Sequence, residues 1–217
     1  MKKKFVFCHG FSCTPSFWKN MCSFFTSEEC YYWDLGYYNN FDVHFLQPQP
    51  STKIIGIGHS LGLLKLVHCG MKFDLLIGIN GFINFLGNNE QLRKKRQREL
   101  KVLKNSYIKD AQKAIINFIQ RCGLSVEELS INLNSVYKAQ LLQDLDFLEK
   151  DLKRSLPPTC IIAAEDDMIV PKVLVEDNFD DLSNVKQIFL KTGGHSLGFH
   201  CAGQIKLLID DFLNEKL

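Results

Sequence analysis

Gly58-His59-Ser60-Leu61-Gly62 sets a serine between two glycines, after the apolar run KIIGIG and before LGLLKLVHC. G-x-S-x-G between a strand and a helix is the pattern of a sharp turn that lifts a serine hydroxyl above a sheet. Gly58 and Gly62 remove side chains that would collide in such a turn. The helix N-terminus behind it offers free N–H groups and a positive dipole end to a developing oxyanion. Serine alone is a weak nucleophile and needs a base.

The same pentapeptide returns at Gly194-His195-Ser196-Leu197-Gly198. The order of the chain decides between the copies. Ser60 has an acid and then a histidine downstream of it. Ser196 is followed closely only by His200, and the later acids lie in a terminal helical pattern. The expected nucleophile is therefore Ser60, and the useful residue of the second copy is His195, as base. The expected acid comes from Glu165-Asp166-Asp167, which follows the apolar run CIIAA. One carboxylate must reach the imidazole to fix its tautomer and stabilise the imidazolium. Asp167 is the choice and Asp166 the alternative. Cys8-His9-Gly10-Phe11 ends another apolar run, and a tight turn there would set the Phe11 N–H beside that of Leu61 as an oxyanion hole. His9 reads as a structural residue that bonds backbone at this turn. His44, His68 and His200 also read as structural, His68 as part of a helix core. No metal ligand set and no organic cofactor are expected.

These residues need elements to hold them. Apolar runs alternate with helical patterns, as in an α/β domain with a mostly parallel sheet. The strands are expected at 4–8, 30–34, 53–58, 74–80, 159–164 and 186–190, near-continuous apolar runs suited to burial on both faces. Helices are expected at 14–26, 60–69, 171–180 and 198–215, the first capped by Thr14 with Pro15 following. The link between 34 and 53 reads as loop. Residues 88–152 break the alternation with helical patterns at 88–105, 107–121 and 134–152. This insertion divides the core into 1–87 and 153–217. It is expected to cap the C-terminal edge of the sheet, where ligands bind in open α/β folds.

The bulk composition sets further bounds. The 217 residues are 46% hydrophobic and 23% charged, which fits one globular domain and excludes a disordered chain. A net charge of +2 gives no bulk basicity for nucleic-acid binding. No apolar run approaches a membrane span, and the short run FVFC soon meets His9 and Gly10, so no signal peptide is expected. Eight cysteines are scattered without a C-x-x-C pair. They read as reduced thiols in a cytoplasmic protein.

Taken together, these motifs resemble the α/β-hydrolase family. His9-Gly10-Phe11 matches its oxyanion motif, residues 58–62 its nucleophile elbow, Asp167-Met168-Ile169-Val170-Pro171 its acid loop, and Gly194-His195 its histidine. The resemblance implies an α/β-hydrolase fold of about six strands, trimmed of the family's first two, with an all-helical lid. The short core, the helical lid with Phe118-Ile119 in its second helix and the basic lid segment are most similar to pimeloyl-acyl-carrier-protein methyl ester esterases of biotin synthesis. That implies hydrolysis of the methyl ester of a carrier-bound dicarboxylic acyl chain through an acyl-enzyme.

Charge in the lid is segregated. Residues 88–110 hold eight Lys/Arg against three Asp/Glu, and 127–151 hold two against six. Arg93, Arg96 and Arg98 are expected to dock an acidic acyl carrier protein and its phosphate, arginine being suited to bidentate oxyanion contact. A solvated helix face paired with Glu90 and Glu99 is the alternative. Phe82, Phe85, Leu86, Phe118 and Ile119 are the candidates for an acyl channel. The expected protein is a monomer acting on a small ester. A general short-chain esterase or thioesterase is the alternative enzyme, and a hydrolase-fold binding protein with an unassembled triad is the alternative from another class.

Overall fold

The computed structural model describes residues 2–38, 52–150 and 155–217. Most of the expected 34–53 loop, His44 and the last two residues of the helix expected at 134–152 fall outside them.

Six strands form one sheet: β1 (Lys2–Cys8), β2 (Glu29–Trp33), β3 (Thr52–His59), β4 (Leu75–Ile79), β5 (Thr159–Ala164) and β6 (Val185–Leu190). Their order across the sheet is β2-β1-β3-β4-β5-β6, and every pairing is parallel. β4 and β5 are buried along their whole length, which is why their sequences are unbroken apolar runs. In the register, Cys8 pairs with Trp33 and Gly58, His59 with Ile79, and Ala164 with Leu190. The strands thus end along one edge, where His9, Ser60, Asn80 and Glu165 follow.

The described residues form eight α-helices, the last two following β6: α1 (Lys19–Cys22), α2 (Leu61–His68), α3 (Glu90–Lys109), α4 (Ala111–Arg121), α5 (Lys138–Phe147), α6 (Lys172–Phe179), α7 (Leu197–His200) and α8 (Ala202–Lys216). Between β4 and β5 the described residues hold only helices and turns.

Several expected helices differ from what forms, among them the one at 134–152, which is a 3-10 turn, Leu133–Ser135, followed by α5 ending at Phe147. The helix expected at 14–26 is a 3-10 turn, Pro15–Trp18, followed by the short α1. Thr14 does cap it, accepting from the Ser16 N–H at 3.2 Å. The chain then turns through Phe24 and Phe25 so that Phe25 packs on Phe5 and Phe7, with ring centroids 4.8 and 5.2 Å away. The helix expected to end at 105 runs on to Lys109. Tyr107 therefore stays on its buried stripe, and its hydroxyl meets Ser12 Oγ at 2.6 Å. Asp110 then caps α4 through the Lys113 N–H at 3.0 Å. The terminal helix is split at Cys201 into α7 and α8.

The insertion is fastened to the core by polar bonds. Asp144 of α5, fully buried, accepts from Tyr37 Oη at 2.6 Å, Lys65 Nζ at 2.5 Å and Gln140 Nε2 at 3.2 Å. Thr14 Oγ1 donates to the Leu129 carbonyl at 2.5 Å, and Ser196 Oγ donates to that of Cys122. A buried carboxylate with three donors meets the requirement that interior charge be paired.

Among the described residues no cysteine is joined in a disulfide. Burial pushes the Cys13 and Cys160 thiols up to about 12, and Cys8 and Cys122 also rise. These four thiols stay protonated and pack as small apolar groups. No helix among the described residues is long and apolar enough to cross a membrane.

Candidate active site

Ser60 stands between β3 and α2 with φ 53° and ψ −122°, a conformation L-residues rarely adopt. Its N–H is held by the Ile79 carbonyl at 3.1 Å. Close packing around the turn makes glycine necessary at 62: a Cβ there would lie 2.7 Å from the His9 carbonyl oxygen. At Gly58 a Cβ would meet the Leu63 Cα at 2.5 Å. This tight elbow brings the β1 turn beside the start of α2. Among the described residues neither the Phe11 nor the Leu61 N–H donates to a protein acceptor.

Asp167 is the carboxylate that reaches His195. Its Oδ2 lies 2.7 Å from His195 Nδ1, and both side chains are buried. Its Oδ1 accepts from the Ile169 and Val170 N–H groups at 2.7 and 2.9 Å, which fixes the carboxylate's orientation. Asp166 has another task. It accepts from the Gly194 N–H at 2.8 Å and from the Gly193 N–H at 3.3 Å, holding the loop that carries His195. Glu165 pairs at the surface with Lys172 at 2.6 Å.

Two residues not singled out from sequence fasten that loop from below. Asn80, fully buried with φ 47°, donates from Nδ2 to the carbonyls of Gly194 at 2.8 Å and His195 at 3.0 Å. Its Oδ1 accepts from the Ala164 N–H at 2.8 Å. One side chain thus joins the ends of β4 and β5 to the histidine loop. His59 donates from Nε2 to the His195 carbonyl at 2.9 Å, and its ring stacks on Phe17 at 4.1 Å. Burial, with His195 nearby, holds His59 well below the usual histidine range, so it is neutral. The residue before Ser60 is therefore bonded to the backbone of His195. Among the described residues no hydrogen bond joins Ser60 Oγ to His195. Such bonds often tighten only with substrate present.

His9 is structural, as expected. The Leu35 N–H donates to its Nε2 at 3.1 Å, so the proton sits on Nδ1, which donates to the Gly10 carbonyl at 2.9 Å. His200 bonds the Gly123 carbonyl at 3.1 Å. His68 is only partly buried and meets Phe147 edge-on at 5.9 Å, so it is not a core residue.

A cavity of about 550 Å³ opens before Ser60. Phe11, Leu61, Phe82, Phe85 and Phe118 line it. Leu86 and Ile119 are buried but do not line it. The three expected docking arginines do not share a surface. Arg96 is 5% exposed and turned inward. It donates to Glu99 and to the Ile169 carbonyl, both at 2.8 Å, and its guanidinium lies 4.2 Å over the Phe85 ring. The signal was in the spacing: Leu92, Arg96, Leu100, Leu103 and Tyr107 follow the helical period, which puts residue 96 on the inward stripe. Arg98 is exposed at the cavity and Arg93 is half-buried.

No family model matches the sequence, and a comparison with curated proteins finds no match. Solved structures do match. An esterase from Exiguobacterium antarcticum aligns at TM-score 0.75 and 14% identity, over 97% of this chain and 91% of that one. MenH from S. aureus aligns at 0.72 and 18%, over 99% and 94%. An epoxide hydrolase from Bacillus megaterium aligns at 0.70 and 15%, over 99% and 94%. Identities this low speak to architecture, and the architecture of this chain is the α/β-hydrolase fold.

Proposed function

We propose that this protein is a serine carboxylester hydrolase. The observation that carries the reading is the 2.7 Å bond between Asp167 and His195, on a histidine whose backbone is tied to the residue before Ser60. In this mechanism Asp167 accepts from Nδ1–H, which leaves Nε2 free to take the Ser60 proton. Ser60 Oγ attacks the ester carbonyl, and the Phe11 and Leu61 N–H groups receive the oxyanion. Protonated His195 gives its proton to the leaving alcohol. Water, deprotonated by His195, then cleaves the acyl-enzyme to release the acid and restore Ser60.

The matched structures include an esterase and an epoxide hydrolase, and serine chemistry favours the former. A serine that opened an epoxide would form an ether, which water does not cleave under these conditions. An acyl-serine is an ester and turns over. The test is turnover of 4-nitrophenyl butyrate by wild type and Ser60→Ala. Loss of at least a thousandfold is expected, and unchanged turnover overturns the reading.

The finer reading is a methyl ester of a dicarboxylic acyl chain on an acyl carrier protein, as in biotin precursor synthesis. It draws on basic residues of α3, the exposed Lys94, Lys95 and Lys101 and the half-buried Arg93. Arg96, turned inward, is not part of that face. Charge reversal at Arg93, Lys95 and Lys101 is expected to slow the carrier-bound methyl ester and spare a small neutral one. Equal loss on both removes the carrier from the account.

A further inference from the structure

The wall of the cavity is mostly apolar, yet three of the chain's five arginines line it. Arg96 and Arg98 come from α3, and Arg121 from the last turn of α4. Glu99 is the single carboxylate among the lining residues, and Arg96 holds it at 2.8 Å. Arg96 is thereby committed to Glu99 and to the Ile169 carbonyl. Arg98 and Arg121 have no carboxylate partner among the described residues. Both are exposed, so they stand where the cavity meets solvent, whereas Ser60 is 5% exposed at its inner end.

Two guanidinium groups at the mouth of an apolar cavity suit a particular kind of molecule. Its reacting end must be uncharged, its middle apolar and its far end oxyanionic. Low-dielectric walls focus the field of such charges toward the opening, and guanidinium groups match oxyanions bidentately. The geometry points to a specificity site in which Arg98 and Arg121 receive a carboxylate or phosphate at the end of the substrate remote from the scissile ester. The apolar wall, Phe82, Leu103 and Phe118 among it, takes the methylenes between. The inference rests on the ester-hydrolase reading of Ser60.

The test compares kcat/KM for the 4-nitrophenyl half-ester of heptanedioic acid with that for 4-nitrophenyl heptanoate. Wild type is expected to prefer the charged ester, and Arg98→Gln/Arg121→Gln to lose roughly tenfold of that preference. Lys113, exposed on α4 and outside the cavity wall, supplies the control: Lys113→Gln keeps the preference. Equal loss on both esters, or an unaltered preference in the double variant, overturns the site. Competition by heptanedioate against heptyl phosphate tells which oxyanion is preferred, and failure of both to outcompete heptanol also overturns it. Calorimetric binding of heptanedioate to Ser60→Ala separates this inference from the catalytic one. Binding that needs both arginines supports the site even if Ser60 proves dispensable for turnover. No binding, with ester turnover intact in wild type, removes the site and leaves the hydrolase.

Discussion

The Asn80 carboxamide donates to the His195 carbonyl oxygen at 3.0 Å, across 115 positions of sequence. The same side chain accepts from the Ala164 N–H at the end of the strand leading to Asp167. Asp167 and His195 are therefore positioned against one another from a third strand.

Asn80 is expected to act as a positioning residue. Asn80→Gly accommodates φ 47° and removes only the side-chain bonds. It should lower kcat by roughly ten- to a hundredfold with little change in KM, since it touches no substrate. Each buried group left without a partner costs about 1–3 kcal/mol of stability. Steady-state kinetics beside urea unfolding checks this. A variant with unchanged kcat would assign Asn80 to stability alone.

The two neighbouring aspartates should separate cleanly. Asp167→Asn replaces the carboxylate that holds Nδ1–H and is expected to lower kcat by about 10⁴-fold. Asp166→Asn keeps an amide oxygen for the Gly194 N–H and should lose no more than about tenfold. The opposite ranking in ester turnover would reverse the assignment.

His59 makes stability depend on pH. Its folded pKa is depressed below the ordinary value of about 6.5, so the unfolded chain binds the extra proton. Its contribution is fully present above pH 6.5 and falls as the pH drops below it, by about 1.4 kcal/mol per unit. His59→Gln retains a donor for the His195 carbonyl and does not titrate. Urea unfolding between pH 7.5 and 5.5 should give a flatter profile for the variant. Parallel profiles would place the acid sensitivity elsewhere.

Ser196 copies the elbow sequence but donates its hydroxyl to the Cys122 carbonyl of the insertion. Ser196→Ala should cost about 1 kcal/mol of stability and keep most ester turnover. A Ser196→Ala protein as inactive as Ser60→Ala would contradict the distinction between the two copies.

Local sequence carried the strands and the turn that holds Ser60, because apolar runs and the glycine-flanked serine are short-range signals. β5 spans the expected residues, and the others shift by one or two at either end. Arg96 was also legible, on the apolar period of α3, but its charge drew it toward a surface role. Asn80 was not legible: its partners lie 84 to 115 positions away, and nothing beside it marks a buried carboxamide. The 14–26 helix failed because long-range packing of Phe25 on β1 outweighed local helical preference.

The most direct test of the account is to label the protein with a fluorophosphonate and locate the adduct by peptide mass spectrometry, with ester turnover followed in parallel. The account requires one phosphonylated residue, Ser60, with activity lost in step with labelling and no adduct in Ser60→Ala. Labelling at Ser196 or at a cysteine, or full activity with Ser60 modified, would contradict it.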